Sequence, residues 1–343
     1  MSKQLIVLVH GMGTHPEGQI TKEFKSALAE RAKSFGMTDL SFLEQVDYKE
    51  FNYSNKFDMI RKQFAENAEA RKKGFKYLSG SGVSGSLLKQ LTDFEVNLSK
   101  DEFLYTHWLD VILYSTTYFG EKIRHELIAL LDELREKYNH QNIHVVCHSL
   151  GTAVVHDSLA KYYRIDSTPH DDIPDVKVGN FNLASLWTFA NVSRMVNILN
   201  DLKNPYQSTV TTGNKGCTEF FFNSRHKYDP FTWYKSYDRE MDDKVSQINT
   251  VFRKANTHDF YEYITEPNTS RWILARIYNK SVSNEDFEKG VDKYKEDTIN
   301  DEVDELKVIV DGLIASPDIE SVKKAIDQFK VIEKKIDELS SEL

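Results

Sequence analysis

Asn142-Ile143-His144-Val145-Val146-Cys147-His148-Ser149-Leu150-Gly151-Thr152-Ala153 decides how the rest of the chain is read. A β-branched apolar run stops at a serine, and small residues then open a helical stretch through Val154, Val155, Ser158, Leu159 and Ala160. Strand, tight turn and helix in that order force the serine into a strained backbone and present its hydroxyl at the end of a parallel sheet. Gly151 lets the start of the helix pass close to the strand end. On the other flank Cys147 stands where a second glycine is usual, and its small thiol can enter a crowded turn at some steric cost.

A second strand end carries a matching signal. Leu5-Ile6-Val7-Leu8-Val9 is the continuous apolar run of a central parallel strand, and it leads straight into His10-Gly11-Met12-Gly13-Thr14-His15. His-Gly-x-Gly after a strand folds tightly enough to aim a backbone N–H, here that of Met12, at a developing oxyanion. A phosphate-binding loop is not expected, because no Gly-Lys-Ser/Thr follows and no Gly-x-Gly-x-x-Gly is completed.

The remaining elements follow from periodicity. Ile20, Phe24, Ala27, Leu28, Ala32 and Phe35 recur at helical spacing, and Gly36 closes that helix. Strands are expected at 45–53, at Val111-Ile112-Leu113-Tyr114, at 184–190, at 219–223 and, more weakly, at 248–255. A strong helix runs from Ile123 to Tyr138. Alternating strands and helices argue an α/β fold with a mainly parallel, doubly wound sheet. Residues 54–107, charged, helical in period and interrupted by Ser79-Gly80-Ser81-Gly82-Val83-Ser84-Gly85-Ser86, are expected to form a helical insertion or lid over the carboxyl edge of the sheet. The aromatics of this stretch and its approach (Phe51, Tyr53, Phe57, Phe64, Phe75, Tyr77) suit either an acyl pocket or core.

The net charge of −9 lies wholly in residues 281–343, which hold 18 acidic and 9 basic side chains, while the rest is balanced. No clustered basic footprint for nucleic acid is present. In this acidic tail Val303, Leu306, Val310 and Leu313 recur at three and four. After Ser316-Pro317, Val322, Ile326, Phe329, Ile332 and Ile336 do so again. That describes a helical hairpin, set off from a catalytic body at 1–280, whose seam must be buried on itself, on the body or on another copy of the chain. The tail is expected to be dispensable for chemistry and to bear on self-association. No stretch reaches the ~20 apolar residues of a transmembrane helix, and Leu5–Val9 is too short for a signal-peptide core. Cys147 and Cys217 are too few for a disulfide framework, so a cytoplasmic setting is expected.

A serine at its free pKa is a weak nucleophile and needs a base within reach, itself held by an acid. Downstream of Ser149, the histidines in loops are His170, His226 and His258. Tyr228-Asp229-Pro230 offers an aspartate in a turn, and His258 follows the last strand-like run in Asn256-Thr257-His258. Over residues 3–265 these stretches together resemble the α/β-hydrolase superfamily. The likeness is greatest to its lipase and serine-esterase branch, which includes intracellular phospholipase A1-like enzymes. The resemblance implies the chain order serine, acid, histidine. It thereby implies Ser149 as nucleophile, Asp229 as acid and His258 as base, with the N–H groups of Met12 and Leu150 as oxyanion hole. His10, Gly11, Gly13, His148 and Gly151 would be supports, and His148 is expected to point away from the serine. The implied activity is hydrolysis of a small-molecule or lipid carboxylic ester through an acyl-enzyme, without metal or organic cofactor. Thioester or amide hydrolysis by the same groups, or a hydrolase-fold interaction protein working through its C-terminal helices, are the alternatives.

Overall fold

Leu5–Val9 (β1) is apolar at every position because both of its faces are buried. Leu5, Val7 and Val9 enter one core cluster, and Ile6 and Leu8 the other. The computed structural model describes residues 3–59, 110–138 except 112 and 116, 142–163, 182–196 except 195, 210–232 except 214 and 215, 236–251 except 238, 253–296 except 255, and 311–312. The insertion beyond residue 59 and both apolar seams of the acidic tail therefore lie outside the described residues.

In chain order the elements are β1, α1 (Gln19–Ser34), β2 (Asp47–Phe51), α2 (Thr117–Lys137), β3 (Ile143–His148), α3 (Leu150–Tyr162), β4 (Ser185–Phe189), β5 (Phe221–His226), β6 (Lys244–Asn249), α4 (Phe260–Thr265), α5 (Pro267–Arg276) and α6 (Asn284–Glu296). The strands form one sheet in the order β2-β1-β3-β4-β5-β6, and every pairing is parallel. Helices α2 and α3 cover one face through Ile123, Leu127, Leu131, Val154 and Leu159. Helices α1, α4 and α5 cover the other through Phe24, Leu28, Ile264, Ile273 and Leu274. This is an α/β architecture, and its helix-covered faces explain why β1 and β3 read as unbroken apolar runs.

Parallel pairing brings all carboxyl ends to one edge. Val9 pairs with Cys147, His148 with Phe189, and Phe189 with Ser224, so the loops after β1, β3, β4 and β5 emerge side by side. The strand order reverses between β1 and β3, the place where open α/β sheets form a crevice beyond their strand ends. His10-Gly11-Met12 leaves one side of it and Ser149 the other.

Two expected strands are corrected. Residues 110–115, where described, are helical, with Val111, Leu113 and Tyr114 buried and the Ser115 hydroxyl donating to the Val111 carbonyl at 2.7 Å. A short apolar run fits a buried helical turn as well as a strand, and here packing against α2 and α3 decides. The last strand is 244–249 instead of 248–255. It is an edge strand on which Ile248 is 50% exposed, and the described residues from 250 to 254 are not strand.

Helix α6 packs on the body, across the change in composition at residue 280. Gly290 lies against Phe35 so closely that a Cβ there would stand 2.4 Å from the ring. The buried Arg31 donates to the Thr265 carbonyl at 2.7 Å and the Gly290 carbonyl at 2.9 Å. Its guanidinium and that of Arg253 each lie 4.8 Å from the centre of the Tyr294 ring. Buried cation–π contacts of this kind are worth up to about 2 kcal/mol. A chain cut after Lys280 should therefore melt several degrees below one cut after Glu296, as read by thermal denaturation. Equal melting temperatures would deny α6 any part in the stability of the body.

Candidate active site

Ser149 leaves β3 with φ 53° and ψ −127°, a conformation that side-chain-bearing residues rarely adopt. Such a backbone costs about 1–3 kcal/mol and persists only where its surroundings dictate it. Here the Ser149 N–H donates to the Phe189 carbonyl at 2.9 Å, and its carbonyl accepts from the Thr152 N–H at 2.9 Å and the Thr152 hydroxyl at 2.6 Å. Two glycines make room. A Cβ at Gly151 would sit 2.3 Å from the His10 carbonyl oxygen, and one at Gly11 would sit 2.8 Å from the Ser149 Cβ. Cys147 fills the place of the other glycine without strain, because it is still within β3, buried, with its thiol donating to the Trp187 carbonyl at 3.3 Å.

The loop after β1 is fixed from outside. Tyr53 donates its hydroxyl to the carbonyls of His10 and Gly11, both at 2.9 Å. The Tyr53 N–H donates to His10 Nε2 at 3.1 Å, and Gly13 donates its N–H to buried Asp110 at 2.8 Å. His10 also stacks on Tyr53, ring centres 4.1 Å apart. These bonds use carbonyls and the Gly13 N–H and leave the Met12 N–H with no acceptor among the described residues. Leu150 is the first residue of α3, so its N–H is one that a helix cannot satisfy internally. Both expected oxyanion donors thus come from the two loops that meet at Gly11 and Ser149.

His258 joins the group from the opposite side. Its Nε2 lies 2.7 Å from Ser149 Oγ, and its Nδ1 lies 2.7 Å from Oδ2 of Asp229, which is wholly buried. Asp229 sits in the turn after β5. Its Oδ1 accepts the Phe231 N–H at 3.0 Å, and its carbonyl accepts from the Thr232 N–H and hydroxyl. Thr257 donates its hydroxyl to the Tyr228 carbonyl at 3.0 Å and so ties the histidine loop to the acid turn. Phe231 shields the imidazole at a centroid distance of 4.6 Å.

The sequence-predicted residues Ser149, Asp229, His258, Met12, Leu150, His10, Gly11, Gly13, His148 and Gly151 all lie at this edge. No protein-family model and no curated protein matches the chain. Any functional reading therefore rests on the residues themselves. Among the described residues no group of three or more His, Cys, Asp or Glu is placed to hold a metal ion, and no helix is long and apolar enough to cross a membrane. Of the suggested pocket aromatics, Phe51, Tyr53 and Phe57 are core residues; Phe64, Phe75 and Tyr77 lie outside the described residues, as does His170. Sequence reading overlooked Asp110, which lies just before the run 111–114 read as strand, and Tyr53's part in bracing the glycine loop.

Two more histidines support the site as neutral rings. His148 packs on His258 at 4.9 Å and on Phe260 at 5.4 Å, and burial first, then the neighbouring His258, pushes its pKa well below the ordinary value. His226 accepts the Tyr228 N–H on Nδ1 and meets the Val251 carbonyl through Nε2. Burial lowers its pKa to about 4. Deeper in the sheet, burial lowers His144 to about 3. An unfolded chain protonates all three near about pH 6.5. Folded pKa values below the unfolded one mean stability that is complete above that pH and lost as pH falls toward the folded values. The melting temperature should hold from about pH 8 to 7 and decline steadily below about pH 6, ahead of most carboxylate titration. A melting temperature unchanged down to about pH 5 would contradict the neutral, buried state of these rings.

Proposed function

We propose that the chain is an α/β-hydrolase-fold serine hydrolase that cleaves a carboxylic ester of a small molecule or lipid. The observation that carries this reading is the unbroken line from Ser149 Oγ through His258 Nε2 and Nδ1 to Asp229 Oδ2, with 2.7 Å at each hydrogen bond. His258 is placed to take the Ser149 proton as Oγ attacks the ester carbonyl carbon. The carbonyl π electrons move onto oxygen, which the Met12 and Leu150 N–H groups would receive. On collapse the C–O bond to the alcohol breaks, and the alkoxide takes the proton from His258. Water then enters, gives a proton to His258 and attacks the acyl carbon. The carboxylic acid leaves as Ser149 regains that proton. Asp229 holds the Nδ1–H tautomer and offsets the imidazolium charge. The strained Ser149 backbone, the glycine contacts that hold it and the crevice at the strand-order reversal all support this assignment.

Ser149→Ala should abolish labelling by a fluorophosphonate probe and lower turnover of a p-nitrophenyl ester by on the order of 10³-fold or more. Retention of more than about a tenth of wild-type turnover would reject Ser149 as the nucleophile.

The two aspartates flanking the base separate cleanly. Asp229→Asn should cost activity on the scale of a triad member. Asp259→Asn should be mild, because Asp259 caps α4 by accepting the Tyr261 N–H at 3.0 Å, a task asparagine also performs. The reverse ranking in p-nitrophenyl ester turnover would reject Asp229 as the acid.

A further inference from the structure

We infer that Tyr263 is a positioning residue of the acid–base pair, its phenol fixing the Asp229 carboxylate at the rotation in which one oxygen serves both Tyr263 and His258. This rests on the hydrolase reading and deepens it. The Tyr263 hydroxyl donates to Asp229 Oδ2 at 2.8 Å, the same oxygen that lies 2.7 Å from His258 Nδ1. The direction of that bond is set, because the phenol oxygen itself accepts the His226 N–H at 2.9 Å. Oδ1 is held independently by the Phe231 N–H. Three donors from three directions leave the carboxylate no other rotation. Tyr263 is buried, and burial together with the Asp229 charge raises its pKa well above the ordinary phenol value, so the proton it gives stays its own.

The placement follows from the cap of α4. Asp259 is the N-cap, which puts His258 one residue before it and Tyr263 at the fourth helical position. Residues at those two positions pack against each other across a helix start, the geometry of a hydrophobic staple. Here both members carry a polar tip, and both tips reach one carboxylate oxygen. A second donor on that oxygen shares its negative charge, so Tyr263 also moderates how strongly Asp229 holds a protonated His258.

The test reads inactivation by a fluorophosphonate, which reports Ser149 activation whatever the natural ester. Tyr263→Phe keeps the ring and removes the hydroxyl. The maximal inactivation rate should fall by about tenfold, with the half-saturating probe concentration within about twofold. The acid limb of the rate should move up, because a carboxylate with one donor fewer stabilises the imidazolium more. Replacing Tyr263 by difluorotyrosine through suppression of a stop codon strengthens the donor and should move that limb down. Tyr261→Phe, whose hydroxyl bonds Glu30 at 2.6 Å, is the control and should change neither. If Tyr263→Phe does not fold, the fluorinated protein decides alone. An unmoved limb in either variant, beside a Ser149→Ala protein that takes no label, would overturn the role of Tyr263 and leave the hydrolase reading standing. Labelling of Ser149→Ala would remove that reading itself.

Discussion

The close approach of the His10-Gly11 backbone to the Ser149 turn is the constraint on which the site depends. With a Cβ at Gly11 standing 2.8 Å from the serine Cβ, and one at Gly151 standing 2.3 Å from the His10 carbonyl, the two loops fit only as glycine against serine and glycine against backbone. That contact locks φ 53° at Ser149 and points its hydroxyl at His258. Loosening it would release the Ser149 turn and its contact with His258 together. The sheet exists, from this standpoint, to bring β1 and β3 into a parallel pair with Val9 beside Cys147.

Around that contact the site is supported in two layers. Tyr53 and Asp110 brace the glycine loop from the α2–α3 side of the sheet, while His148, His226 and Tyr263 brace Asp229, His258 and their loops from the α4 side. The buried histidines work through shape and tautomer, not charge, since burial keeps them neutral. The imidazole of His258, by contrast, faces both a hydroxyl and a carboxylate.

Local chemistry that is self-contained was legible in the sequence. Leu5–Val9 and Ile143–His148 declare themselves as doubly buried parallel strands, and the residues that follow each one declare a tight loop and a turn. Ser149, Asp229 and His258, which the structure brings together, were singled out through the family resemblance that their motifs carry, since the loop histidines taken alone left three candidates. What sequence did not give depends on tertiary partners. Val111-Ile112-Leu113-Tyr114 has the composition of a strand, and contact with α2 and α3 makes its described residues helical. Lys244-Val245-Ser246 carries too little apolar character to announce an edge strand, because that strand is stabilised by its ladder to β5. Tyr294 and Gly290 looked like any residues of a charged tail until Arg31, Arg253 and Phe35 were seen to receive them. Tyr263 was readable in principle: Asp259 and Glu262, three residues apart, have the spacing of a helix cap, which places Tyr263 next to His258.

The spacing of the three central residues along the chain bears on how the site comes into being. Asp229 and His258 meet across 29 residues, whereas His258 and Ser149 meet across 109. Closing the longer loop carries an entropic penalty greater by about 1 kcal/mol, and it waits on β3, β4 and β5 finding their parallel register. The contact between Asp229 and His258 is thus the one that can form early, while the chain is still assembling its carboxyl half. Ser149 joins only when the sheet is whole. The hydrogen bond between Ser149 and His258 is then a property of the finished fold, absent from partly folded chains.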